Sequence, residues 1–315
     1  MPAWLDAHFI DLLNGLAMGA LLFILAVGLS LIFGMMDVLN LAHGVLFLAG
    51  AYALWWIGGA APSWPAFLAA LGVAGAAGAV AGSGLALAVE RLARRSHLDQ
   101  ALLTLGLALI AADALSIAFG DEVHAIDPPP GLAASVAVLG KPYPMYRLAL
   151  IGLGAVLAAA LHLVVERTSL GALIRATVSD REMVAAIGVD DRKVKLGVFA
   201  AGSALAAVAG VLGAPVYSPG PRLDGTALLL ALVVVVIGGL GSVRGALIGA
   251  LVIGEIESLG RAVLSDLASF VLFGALAIVL IVRPRGLFAA PTGARSGPRP
   301  ASGWRGTSGA RWGSR

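Results

Sequence analysis

Cysteine is absent from the 315 residues, and charge is scarce, with Asp, Glu, Lys and Arg together making up only 12%. The first absence removes disulfides, thiolate metal sites and cysteine nucleophiles. The second argues against a soluble domain, which carries about twice that charge. Also missing are a G-x-x-x-x-G-K-[ST] phosphate loop and any metal-ligand spacing among the five histidines. The chain is therefore expected to bind neither ATP in that way nor a metal, and no cofactor is assigned to it. What remains is apolar: 59% of residues are hydrophobic and mean hydropathy is +0.95. One core of this size cannot shelter so much apolar surface from water, so lipid must solvate most of it. A soluble enzyme, a nucleic-acid reader and a disordered scaffold are excluded on that ground. The isoelectric point is near 9.6, yet net charge is only +3, so the placement of the basic residues carries more information than their number.

A bilayer core about 30 Å thick needs roughly 20 mostly apolar residues per helix. Charge-free runs cover Leu12 to Met36, Leu148 to Val165, Leu196 to Pro221 and Gly225 to Val243. Val38 to Val89 holds no Asp, Glu, Lys or Arg and is long enough for two spans, split at Pro62 and Pro65 beside Trp64. Gln100 to Gly120 is interrupted only by Asp113, and Leu267 to Val282 gives a last, short span. No run alternates with period two. The fold expected is all-α: a polytopic helical membrane protein of 8–9 segments, one or two of them discontinuous or re-entrant.

Basic residues cluster in Arg91 to Arg95, Arg167 to Lys195 and Arg283 to Arg315. The positive-inside rule turns these clusters to the cytoplasm. The acidic, proline-rich stretch Asp121 to Pro130 then faces out, as does the N-terminus, which carries Asp6 and Asp11 without Lys or Arg. Such an N-terminus argues against a cleaved signal peptide. Three further crossings near 226–242, 246–260 and 267–282 return the chain to a cytoplasmic C-terminus. Residues 1–288 read as one membrane domain. The tail 289–315, rich in Gly, Ser, Pro and Arg, reads as disordered and in reach of anionic headgroups.

Two places interrupt the apolar pattern. Asn40 and His43 stand three apart and share a helical face, so they either line a path through the bundle or tie helices together. Gly238, Gly239, Gly241, Ser242 and Gly245 are poor material for a continuous helix. They read either as a broken helix whose backbone lines a substrate path or as a tight turn with small-residue packing. Asp113, Glu255 and Glu257 are the candidates for buried charge; Glu255 and Glu257 cannot share a face, and one of them is expected near Arg261. Gly78 with Gly82, and Gly202, Ala206 and Gly210, read as close helix contacts.

Glu166 to Lys195 is the most patterned polar segment. Thr168 suits a helix cap, Ile174, Met183, Ala186 and Ile187 add apolar positions among charges of both signs, and Gly188 suits a helix end. Mixed charge favours a protein partner over plain lipid attraction.

Four stretches taken in order resemble the permease subunits of branched-chain amino-acid ABC importers, of the LivH type. They are Leu13-Asn14-Gly15 through Gly34 with Asn40-Leu41-Ala42-His43-Gly44; Thr168-Ser169-Leu170-Gly171 with Arg175-Ala176; Gly238 to Ser242 with Gly245, Ala246 and Gly249, on to Glu257; and Arg283-Pro284-Arg285-Gly286-Leu287-Phe288. The resemblance spans residues 11 to 288. It implies an inner-membrane permease, not an enzyme, working with a second permease that is a diverged sibling. It further implies two cytoplasmic ATP-binding subunits and a periplasmic substrate-binding protein, with ATP held by those subunits and no nucleic acid as partner. Thr168, Gly171, Arg175, Ala176 and Gly188 would then couple to the ATPases, and Asn40, His43, Gly239, Gly241, Ser242 and Glu257 would line the substrate path. Leu22, Val45 and Arg244 depart from the family's usual residues and leave the ligand open among branched-chain or other amino acids, urea and short amides. The rival reading is a secondary transporter driven by protons or sodium.

Overall fold

The computed structural model describes residues 3–36, 39–92, 96–179, 183–184, 188–263, 268–283 and 287. Ten helices and one small hairpin occur among them: α1 Ala3–Met36, α2 His43–Gly58, α3 Trp64–Arg91, α4 His97–Phe119, β1 Ser135–Val138, β2 Lys141–Pro144, α5 Met145–Arg167, α6 Ser169–Ser179, α7 Asp191–Tyr217, α8 Leu223–Gly238, α9 Val243–Val263 and α10 Ala268–Val282. By length and composition, five helices can cross a bilayer: His8–Gly34, Trp64–Arg91, His97–Phe119, Met145–Arg167 and Arg192–Tyr217. The number is six if the bent pair α8–α9 counts as one span. The protein is a multi-pass helical membrane protein.

Helix α1 is the axle. It packs against α5, α7, α8 and α9, and from Leu21 to Ser30 it is buried on every side, as an all-apolar helix inside a bundle should be. Small residues let the neighbours come close. A Cβ on Gly78 would meet Ala207 and Ser203 of α7, one on Gly82 would strike the Ser203 side chain, and one on Gly210 would strike the Phe47 carbonyl. These are the contacts that the small-residue spacing anticipates. Helices α4 and α5 are peripheral and expose apolar side chains such as Leu109, Ile110, Ile117 and Val156. Asp113 lies on the exposed part of α4 and is not a buried charge; α4 has few neighbours, so its flank stays open.

Ion pairs and turns define two ends of the bundle. At one end Arg192 Nε lies 2.8 Å from Glu90 and Arg244 3.4 Å from Glu166, joining the end of α3 to the start of α7 and the end of α5 to the start of α9. At the other, His124 N donates to Pro219 O, Asp127 N donates to Ala60 O and Trp64 Nε1 donates to Pro130 O at 3.0 Å.

The sequence reading missed the hairpin, whose strands pair antiparallel from Ser135↔Pro144 to Val138↔Lys141. Its two-residue turn puts Leu139 at φ 50° and Gly140 at φ 80°, the positive-φ pair that matches strand twist. The first of the two spans expected within Val38 to Val89 is shorter than the run allows, because α2 begins only at His43 and ends at Gly58. The run 225–243 is cut after Gly238, and α8 and α9 meet at 118°.

Helices α2 and α8 form a pair. Each has 16 residues, and each is followed by glycine, Gly59 and Gly239. Their first turns touch: a Cβ on Gly44 would run into the Asp224 carbonyl and lie 2.8 Å from Leu228 Cβ.

Candidate functional site

The sequence-derived candidates fall in three places, with Glu257 apart from all of them. The first is the start of α2. Residues 39–42 are not helical, and their polar groups find local partners. Leu41 N donates to Thr104 Oγ1 at 3.1 Å, and that hydroxyl lies 3.2 Å from Leu39 O. Ala42 N donates to Asn40 Oδ1 at 3.2 Å. His43 Nε2 is 2.8 Å from the Leu25 carbonyl; a carbonyl only accepts, so Nε2 carries the hydrogen. Asn40 and His43 are fully buried. Asn40 Nδ2 and His43 Nδ1 have no partner among the described residues. Open backbone at membrane depth is tolerated only where protein encloses it, and Thr104, which the sequence reading did not single out, supplies the enclosure.

The second place is the α8–α9 break. Gly239 at φ 102° and Gly241 at φ 77° occupy conformations that disfavour other residues. Ser242 Oγ accepts from Gly245 N at 3.0 Å and caps α9. A Cβ on Gly249 would lie 3.0 Å from Gly238 N, and one on Gly241 would lie 2.9 Å from Gly34 Cα. Glu257, four turns further along α9, is not part of this group. It faces a cleft walled by α1, α5, α7 and α9, is only 8% exposed and pairs with Arg261. Glu255 leans on α1, beside Gly15.

The third place is α6. Thr168 Oγ1 donates to Val164 O at 2.6 Å and accepts from Gly171 N at 3.2 Å, so it ends α5 and caps α6 with one hydroxyl. Gly171 is buried, and any side chain there would strike the Val164 and Val165 carbonyls. The joint is therefore rigid. Helix α6 also touches α1 and α7. Leu170, Arg175 and Ala176 point outward from it. Gly188 adopts φ 84°, and Val189 N donates to Val184 O at 3.3 Å, as at a helix end. Asp190 Oδ1 then accepts from Arg192 N to start α7. Ala186, Ile187, the ending Pro284 to Gly286 with Phe288, and the tail 289–315 lie outside the described residues.

Residues 11–281 match the family described as "Branched-chain amino acid transport system / permease component". The chain belongs to that family. Among its relatives, the high-affinity branched-chain amino acid transport system permease protein LivH of Salmonella typhimurium is 28% identical over 301 residues, covering 89% of this chain and 95% of that protein. LivH of Escherichia coli matches with the same identity and coverage. The permease protein BraD of Pseudomonas aeruginosa is 28% identical over 307 residues, covering 90% and 97%. No solved structure matches the chain. Family membership makes the protein a transport permease, in keeping with the multi-pass fold.

Proposed function

We propose that this chain is one of two permease subunits in an ATP-binding-cassette importer for branched-chain or related small amino acids in the bacterial inner membrane. A diverged sibling permease completes the gate, two cytoplasmic ATPases drive it, and a periplasmic binding protein delivers the substrate. The proposed topology has nine crossings, by α1–α5 and α7–α10, with α2 and α8 shorter than a full span. Arg91, Arg167, Arg192 and Arg283 then face the cytoplasm together with α6, and the β1–β2 hairpin and the N-terminus face outward.

The observation that carries this reading is the α5–α6 joint. A permease without a nucleotide loop receives its energy by contact, so it needs a short rigid helix at the cytoplasmic end with an outward side-chain patch. Helix α6 has one in Leu170, Arg175 and Ala176, fixed to α5 by Thr168 and Gly171. ATPase closure acting on that patch is passed along α5 and α1 and rocks the bundle between inward- and outward-open states. Asn40, His43 and the 239–242 turn serve the path between the two faces. The test is co-reconstitution of the chain with its sibling and ATPases: amino-acid-loaded binding protein should stimulate ATP hydrolysis and uptake together. Accumulation by this chain alone on a proton or sodium gradient would overturn the reading.

A further inference from the structure

The Glu257 cleft encloses about 330 Å³, at the small end of the range of about 300–1,000 Å³ for ligand pockets. Its wall carries Asp11, Arg147, Glu257 and Arg261, two acids and two guanidinium groups, so it is polar without net charge. The rest of the lining includes the apolar side chains of Leu21, Leu150 and Val216. Two polar groups in it are incompletely used. Glu257 Oε1 meets Arg261, but Oε2 is buried and has no hydrogen-bond partner among the described residues. Arg147 donates to Asn14 Oδ1 and has no carboxylate in ion-pair range among the described residues, although a guanidinium carries five donors. Asp11 Oδ2 lies 3.2 Å from His8 Nδ1. A buried carboxylate oxygen left bare calls for a donor, and the free guanidinium edge calls for an anion.

We propose that this cleft binds a free zwitterionic α-amino acid with an aliphatic side chain. Its ammonium sits on Glu257 Oε2, its carboxylate on Arg147, and its side chain against Leu21, Leu150 and Val216. A lone anion or cation would leave one of the two groups unsatisfied, and a polar side chain would lose hydrogen bonds against those apolar side chains. The inference rests on the importer reading and adds to it a holding point for substrate in the permease itself, on the outward side of the bundle. Phosphatidylethanolamine carries the same pairing of ammonium and anion, so the test must separate lipid from amino acid.

The importer complex, without binding protein, is placed in nanodiscs of phosphatidylcholine and phosphatidylglycerol, and tritiated leucine binding is measured at equilibrium. Binding should saturate and be displaced by valine. Leucinamide, which lacks the carboxylate, and 4-methylpentanoate, which lacks the ammonium, should compete at least about tenfold less well, as loss of one charge-assisted pair requires. Glu257→Gln and Arg147→Met should each weaken leucine binding by at least about tenfold, with Arg147→Lys retaining part of it. Arg147→Met should also erase the preference for leucine over leucinamide. Competition by either analogue as strong as that of unlabelled leucine, on the unaltered complex, overturns the proposal even if the variants misfold. Absence of saturable leucine binding overturns it too, as does loss of binding in phosphatidylethanolamine nanodiscs that no leucine concentration restores. The importer reading fails separately, through an ATPase that loaded binding protein does not stimulate.

Discussion

Gly28 and Gly202 stand back to back: a Cβ on Gly202 would lie 2.8 Å from the Gly28 carbonyl oxygen, and one on Gly28 would lie 2.9 Å from Gly202 Cα. Helices α1 and α7 thus meet backbone to backbone, and the Ile32 side chain closes the same spot, with Cδ1 2.9 Å from a Cβ on Gly202. Gly28→Val or Gly202→Val should cost at least about 1–3 kcal/mol through overpacking. The measurement is thermal unfolding of purified protein. Gly72→Ala is the control, because nothing lies within 4 Å of a Cβ there, and it should leave the transition in place.

The α5–α6 joint predicts a graded series. Thr168→Ala removes one cap and should cost about 1 kcal/mol, leaving uptake mostly intact. Gly171→Val drives a side chain into the Val164 and Val165 carbonyls and should displace α6, abolishing uptake while ATP hydrolysis by the assembled complex persists. Arg175→Glu reverses an outward charge and should give the same uncoupling without loss of fold. Transport and hydrolysis measured on the same vesicles decide the matter; wild-type coupling in Gly171→Val would remove α6 from the drive train.

His43 supplies the donor to the Leu25 carbonyl at 2.8 Å inside a fully buried junction. His43→Leu should therefore destabilise the protein by about 1–3 kcal/mol. Asn40→Ala frees Ala42 N, which bonds Asn40 Oδ1, and should add a comparable loss. Because the two sites share the 39–42 turn, the double variant should fall short of the sum of the singles in a double-mutant cycle.

The two ion pairs at the end of the bundle that carries α6 should matter little to stability. Arg192 and Glu90 have side chains 63% and 36% exposed, so the pair contributes about 0–1 kcal/mol, and the contribution should fade as salt is raised. A double-mutant cycle with Arg192→Ala and Glu90→Ala, run at low and high salt, checks both statements.

Tyr143 of the hairpin is fully buried, and burial pushes its phenol up to about 12. An unfolded phenol ionises near 10, so the folded state holds its proton where the unfolded one releases it. Stability contributed at this position is complete below pH 10 and declines as pH rises from 10 to 12. Its hydroxyl has no partner among the described residues, so Tyr143→Phe should preserve stability at neutral pH and remove this alkaline step. Unfolding midpoints of both proteins across that range provide the comparison.

The long spans were legible because uninterrupted apolar runs have one solution in lipid, and α1, α3, α5 and α7 fall where those runs lie. Thr168 and Gly188 were legible too, since capping chemistry is local. The role of Gly171 was not: its need for a missing side chain comes from the α5 carbonyls folded back over it. The late start of α2 was hidden because Leu39, Leu41 and Ala42 look helical, and part of what stabilises the open turn is the Thr104 hydroxyl, more than 60 positions away. Arg147 stood in the sequence as a lone basic residue at the head of an apolar run. Its proximity to the Glu257 cleft depends on how α5 packs on α1, which no local pattern announces.

Helices α2 and α8, at 16 residues each, measure about 24 Å against a hydrocarbon layer of about 30 Å. Where they abut at Gly44 and Asp224, the protein insulates with two stub rods sharing one joint, and each falls short of full thickness. Neither stub covers that thickness alone, so the seal there rests on the close contact between them, and a slip of a few ångströms at the joint should leak ions sooner than a similar slip along the continuous α1.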